Sequence, residues 1–281
     1  MWGNPIQAVG TRDFQTTVPV ALHIEQAAIH PAMVLSLGTW ARPSSELAWN
    51  IALTTLSLSF FYILFLSALP KFEHALEVNF LISPFIISFF AMVFGPVVLR
   101  SKFPTAFFGL QTANWKSATG FSFLASLVFI GVGVALKWLL IHTVESFAQL
   151  SILGFADLRV TEQQIAMSPL YSLAVVLYLV LTPIQEFVAR CCLQAPLQAF
   201  LPGTSLQRRL LSILISNLLF AGAHMHISGA FALAAFIPGI FWGWIFARTN
   251  SLLAAATSHF LIGGAGIFLF GIEEFVATLA G

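Results

Sequence analysis

Three short patterns in the C-terminal half of the chain carry side chains able to do acid–base chemistry: Gln185-Glu186-x-x-x-Arg190, Phe220-x-x-x-His224, and His259. A carboxylate or an imidazole can take a proton and return it, and convergent donors can steady a developing oxyanion. Glu186 and Arg190 are four residues apart, share one helical face and can pair. Gln185 is turned about 100° from Glu186, onto the stripe of Leu181 and Ala189. Asn217 and His224 are spaced to share a stripe with Phe220 between them. His226 is turned roughly 200° from His224, so the two are a poor chelate on a regular helix. His259 stands as a lone imidazole among small neighbours, Ala255, Ala256 and Gly263. A buried Glu–Arg pair can also be purely architectural, and a single helical histidine is often no more than a hydrogen-bonding partner.

The elements that must position these groups follow from composition. The 281 residues are 58% hydrophobic and 8% charged, with 29 Phe and a net charge of +1. A soluble domain carries roughly 25% charged residues, so this chain cannot furnish a solvated surface. The net charge excludes a strongly basic nucleic-acid binder, and the apolar content excludes disorder. The only cysteines, Cys191 and Cys192, are adjacent, which excludes a disulfide scaffold. The expectation is an all-α, polytopic transmembrane bundle. Each span needs about 20 mostly apolar residues. Seven are placed near 48–69, 80–99, 118–141, 170–192, 210–228, 230–247 and 251–271, within a range of six to eight. Ionisable groups inside a span are costly alone, and a shared polar cavity between spans 4, 5 and 7 would relieve all three.

Three segments are expected: an N-terminal interfacial segment over 1–47, variable helices and connections over 48–168, and the site-bearing helices over 169–281. With seven spans, Arg12, Arg42, Arg100, Lys102, Lys116, Arg208, Arg209 and Arg248 fall on one side, and only Lys71 and Arg159 on the other. That asymmetry puts the N-terminus in the cytoplasm and the C-terminus outside. No signal peptide is read at the start. Lys137 is expected to snorkel, and residues 143–168 to lie on the membrane surface. Thr182-Pro183 is expected to kink the fourth span. No repeat suggests the inverted halves of a transporter.

The three patterns together resemble the CAAX-protease and bacteriocin-processing intramembrane endopeptidases, relatives of the type II CAAX prenyl protease. That family carries Glu-Glu-x-x-x-Arg, Phe-x-x-x-His and a later His-x-x-x-Asn. Here stand Gln185-Glu186-x-x-x-Arg190, Phe220-x-x-x-His224 and His259-x-x-x-Gly263. The run from Gly239 through Gly243 to Arg248-Thr-Asn-Ser-Leu252 is similar to the family's Gly-rich helix and the turn that follows it. The resemblance covers about 169 to 270. It implies hydrolysis of a peptide bond in a membrane-anchored substrate, with His224 helping to hold and activate water and His259 steadying the oxyanion. It implies no nucleic acid and no cofactor; zinc is possible but not favoured, since His-Glu-x-x-His is absent. A prokaryotic cell membrane is the expected location.

Two departures stand out. Gln185 occupies the place of the family's catalytic Glu, and a carboxamide cannot take a proton from water. Glu186 is out of register for that role. Either an isosteric Gln replaces Glu to trap an inactive form, which the retention of the other positions favours, or the chain is a natural pseudoprotease. A binding protein for a membrane peptide or lipid and a proton relay are the alternatives from other classes. Gly263 in place of Asn removes one candidate oxyanion donor. Finally, Gln185 and His224 reach one depth only if the fourth helix runs on past Arg190 through Cys191–Phe200, with Pro196 at a bend.

Overall fold

Long apolar runs satisfy their backbone groups internally and so fold as helices. The computed structural model describes residues 45–68, 88, 92–96, 98–101, 103–152, 168–225, 229–266 and 270–271. In chain order these form α1 (Ser45–Ala68), a 3-10 turn (Thr105–Phe108), α2 (Trp115–Thr143) and a second 3-10 turn (Glu145–Phe147). There follow α3 (Ser168–Glu186), a π-helical segment (Phe187–Gln194), α4 (Ala195–Phe200), α5 (Ser205–Gly222), α6 (Gly229–Thr249) and α7 (Leu252–Gly264). No strand occurs among the described residues.

Helices α2 and α6 are long and apolar enough to cross a membrane, and shorter apolar helices run over Trp49–Leu64 and Leu252–Gly264. The first, third and sixth expected spans match α1, α2 and α6 to within a few residues. Of the second, 80–99, only 88, 92–96 and 98–99 are described, all helical. The fourth span is longer than drawn. α3, the π segment and α4 run without a break from 168 to 200; Pro196 lies inside this run, and the Cys192 carbonyl, four residues before it, accepts from Thr55 Oγ1 at 3.0 Å. The fifth is shorter, because α5 ends at Gly222 and residues 223–225 form a turn. The N-terminal segment through 44, most of the 143–168 connection, His226 and the tail beyond Gly271 lie outside the described residues, with Arg12, Arg42, Lys71, Lys102 and Arg159.

Local chemistry sets several boundaries. Thr204 and Gln207 form a reciprocal capping box at the start of α5, and the Ser251 hydroxyl accepts from the Ala254 amide to begin α7. Between α6 and α7, Asn250 adopts a left-handed φ of 46°. Its side chain donates to the Ala106 carbonyl at 2.8 Å, while the Leu252 amide donates to the Gly109 carbonyl at 2.9 Å. The 3-10 turn thereby fixes where α7 sets out.

α7 lies at the centre of the site-bearing half, against α2, α3 and α6, while α5 packs on α6 and the π segment. The α2 stripe Ala118, Ser122 and Ser126 is buried, and its serines reach α7: Ser122 donates to the Ala254 carbonyl at 2.5 Å and Ser126 to Ser258 at 2.8 Å. Short polar side chains of this kind hold apolar helices together where lipid gives no hydrophobic drive. The remaining face of α2 exposes Leu124, Val128, Val132 and Leu136. Lys137, expected to snorkel, is instead 7% exposed and donates to the Phe270 carbonyl at 2.7 Å. A carbonyl beyond the end of α7 supplies its partner.

Candidate active site

Glu186 is the last residue of α3, and the helix continues from it with a π register, an arrangement that occurs mostly as short insertions at functional sites. The widened turns bury Arg190, Cys191, Cys192, Leu193 and Gln194 in succession. Arg190 is wholly buried, and every arm of its guanidinium is used. Nε donates to Glu186 Oε2 at 2.9 Å, Nη1 to Gln194 Oε1 at 3.1 Å and Ser216 Oγ at 3.4 Å, and Nη2 to the Gly239 carbonyl at 3.0 Å. Gln194 in turn donates to the Gly243 carbonyl at 2.9 Å. A fork of five fixed donors suits this task, and a lysine could not hold four partners at once.

The α6 helix approaches this closely because it presents Gly239 and Gly243 four residues apart. A β-carbon at 243 would stand 3.0 Å from Arg190 Nη1, and one at 239 would run into Asn217 Oδ1. Asn217 itself donates to the Phe236 carbonyl at 2.8 Å, two residues before Pro238. It clamps α5 to α6 rather than joining His224.

The second oxygen of Glu186 accepts from His259 Nδ1 at 2.8 Å. His259 was expected to be a lone imidazole and is not. It is 4% exposed and lies flat on Trp242, with ring centres 3.7 Å apart. Because a carboxylate only accepts, Nδ1 carries the proton and Nε2 is the ring nitrogen left to meet a ligand. Glu186 therefore does two jobs: it balances Arg190, as the spacing required, and it orients His259 from a different helix.

His224 lies in the turn after α5. Its Nδ1 donates to the Phe220 carbonyl at 2.8 Å. Phe220 joins the two halves of the site. Its ring centre is 4.8 Å from His224, 5.7 Å from His259 and 5.7 Å from Trp242, with the Arg190 guanidinium 6.0 Å away. The fourth helix does run on to 200, the extension that the expected meeting of Gln185 and His224 required. Gln185 is partly buried and makes no side-chain hydrogen bond among the described residues, consistent with its rotation away from Glu186. Among the described residues no three His, Cys, Asp or Glu side chains are grouped to hold a metal ion.

Sequence reasoning missed Gln194, Ser216, Trp242 and Tyr178, which donates to the His259 carbonyl at 3.2 Å. The Gly239/Gly243 spacing was the one available signal that another helix closes on Arg190. Residues 167–264 match the family model described as type II CAAX prenyl endopeptidase Rce1-like. No curated protein and no solved structure matches the chain.

Proposed function

We propose that the chain is a multi-pass intramembrane endopeptidase of the CAAX-protease type, acting on a membrane-anchored peptide, with its hydrolytic step held back by Gln185. The observation that carries this reading is the buried Arg190–Glu186–His259 chain with Phe220 and His224 packed beside it. Such an assembly is expensive in an apolar setting, and its order matches the three motifs of the family. In the proposed reaction an acceptor takes a proton from water, the water oxygen adds to the peptide carbonyl carbon, and the proton passes to the leaving nitrogen as the C–N bond breaks. His224 helps hold the water. His259, steadied by Glu186 and Trp242, stands beside the carbonyl oxygen. A carboxylate at 185 would be the base, and Gln cannot serve.

A general base contributes about 10²–10⁴ in rate. The Gln185→Glu variant, reconstituted in bilayers with a farnesylated peptide, should therefore cleave at least a hundredfold faster than the unchanged chain. Equal rates would remove position 185 from the mechanism. A second reading also rests on Gln185: a natural pseudoprotease that holds a membrane peptide without cutting it. It expects no cleavage by Gln185→Glu, and weaker capture of the same peptide by His224→Ala. Membrane spans and their orientation, with the N-terminus in the cytoplasm and a prokaryotic membrane as the setting, belong to the same proposal.

A further inference from the structure

We propose that the Tyr178 hydroxyl is a substrate-binding donor, seated in a notch opened by Gly263, that receives a backbone carbonyl of the peptide beside His259. This rests on the peptidase reading above and extends it to a residue that none of the three motifs contains. The steric observation comes first. A β-carbon on residue 263 would coincide with the Tyr178 hydroxyl and stand 3.1 Å from its Cζ and 3.5 Å from His259 Cδ2. The phenol oxygen thus fills the place where a side chain at 263 would begin, at the edge of the imidazole. Glycine at 263 is not simply a lost donor; it is the space that admits a donor from α3.

The second observation concerns where that donor is spent. Tyr178 donates to the His259 backbone carbonyl at 3.2 Å, long for a hydroxyl donor, whose usual distance is about 2.7–2.8 Å. Inside α7 that carbonyl faces the amide four residues on, so the phenol is a supplementary partner. The proton can turn to an incoming acceptor without orphaning a buried group. The third observation is an unspent donor beside His259. Trp242, 3% exposed and stacked on the same ring, has a buried indole N–H with no acceptor among the described residues. A guest that suits this surround brings oxygen acceptors, as a peptide backbone does. Tyr178 also precedes Gln185 by seven residues, nearly two helical turns, so both lie on one stripe of α3.

The test measures binding of a fluorescent farnesylated peptide to the full chain in lipid nanodiscs, independently of cleavage. Tyr178→Phe removes one oxygen and keeps the ring. It should weaken binding about five- to tenfold, the size of one hydrogen bond, with the melting temperature little changed. The double variant Tyr178→Leu with Gly263→Asn empties the notch and returns a donor from the other helix, and should recover affinity to within about twofold of the unchanged chain, the residue of an imperfectly placed bond. If Tyr178→Phe binds as tightly as the unchanged chain, the donor assignment is overturned and the peptidase reading stands. A double variant as weak as Tyr178→Phe would assign Tyr178 to packing and overturn it too. Absence of saturable binding by the unchanged chain would overturn the peptidase reading itself, and this extension with it.

Discussion

At the scale of single residues, Glu186 decides the site because its two oxygens serve different helices: Arg190 on its own and His259 on α7. Removing the charge while keeping the shape leaves a guanidinium buried without its counterion, which costs about 3–5 kcal/mol. Glu186→Gln should therefore lower stability by that amount in thermal or steric-trap unfolding, whereas Gln185→Glu, at a partly buried position outside the hydrogen-bond chain, should cost far less. The Glu186–Arg190 half of this was legible in the sequence, since four-residue spacing on a helix needs no tertiary knowledge. The His259 half was not. Which helix brings a partner to the second oxygen depends on packing between residues far apart in the chain, and no local pattern encodes it.

Elements explain why the register reasoning succeeded in part. Up to Glu186 the helix is regular, so the rotation separating Gln185 from Glu186 holds. From Phe187 the π register takes over, and angles counted on an ideal helix no longer apply. Deleting Val188 would let the segment relax to ordinary α geometry. It should swing the upstream residues by about 100° relative to Arg190 and abolish peptide binding in the nanodisc assay. The α6 glycines can be tested in the same spirit. Gly243→Ala would press on Arg190, Gln194 and Ile213 at once and should destabilise by about 1–3 kcal/mol, read as a lower melting temperature. Between α2 and α7, a double-mutant cycle on Ser126→Ala and Ser258→Ala should return a coupling of about 0.6 kcal/mol, typical of such pairs in apolar surroundings. The serines were visible in the sequence only as tolerated polar residues; their helix partners became evident from the fold.

For the whole molecule, composition carried the most. A chain with 8% charged residues builds its helices from apolar runs, and the runs at 45–68, 115–143 and 229–249 follow the hydropathy closely. One boundary was misplaced where the pattern was silent: α5 stops at Gly222 despite apolar residues beyond it. The fourth helix runs through the fully partnered Arg190 and on to 200, as the sequence reading expected. The proposed orientation makes its own prediction. Single cysteines at Arg208 and Arg248, in a background lacking Cys191 and Cys192, should be labelled by an impermeant maleimide only after the membrane is opened; labelling from outside in intact cells would reverse the topology.

The Glu186–Arg190 pair also bears on how the protein is made. Both partners lie within one turn of one helix, so their charges can cancel as soon as that helix forms. Synthesis runs from the N-terminus, and Gly239 and His259 leave the ribosome well after Arg190. A helix carrying an isolated charge would wait in the membrane at a cost of several kcal/mol. In the proposed membrane setting, this one would arrive already neutral. The later helices need not rescue it, and they find a fixed carboxylate oxygen and two fixed guanidinium arms against which to dock. Chemistry that serves the finished site thus doubles as an assembly template, set in place before the rest of that site exists.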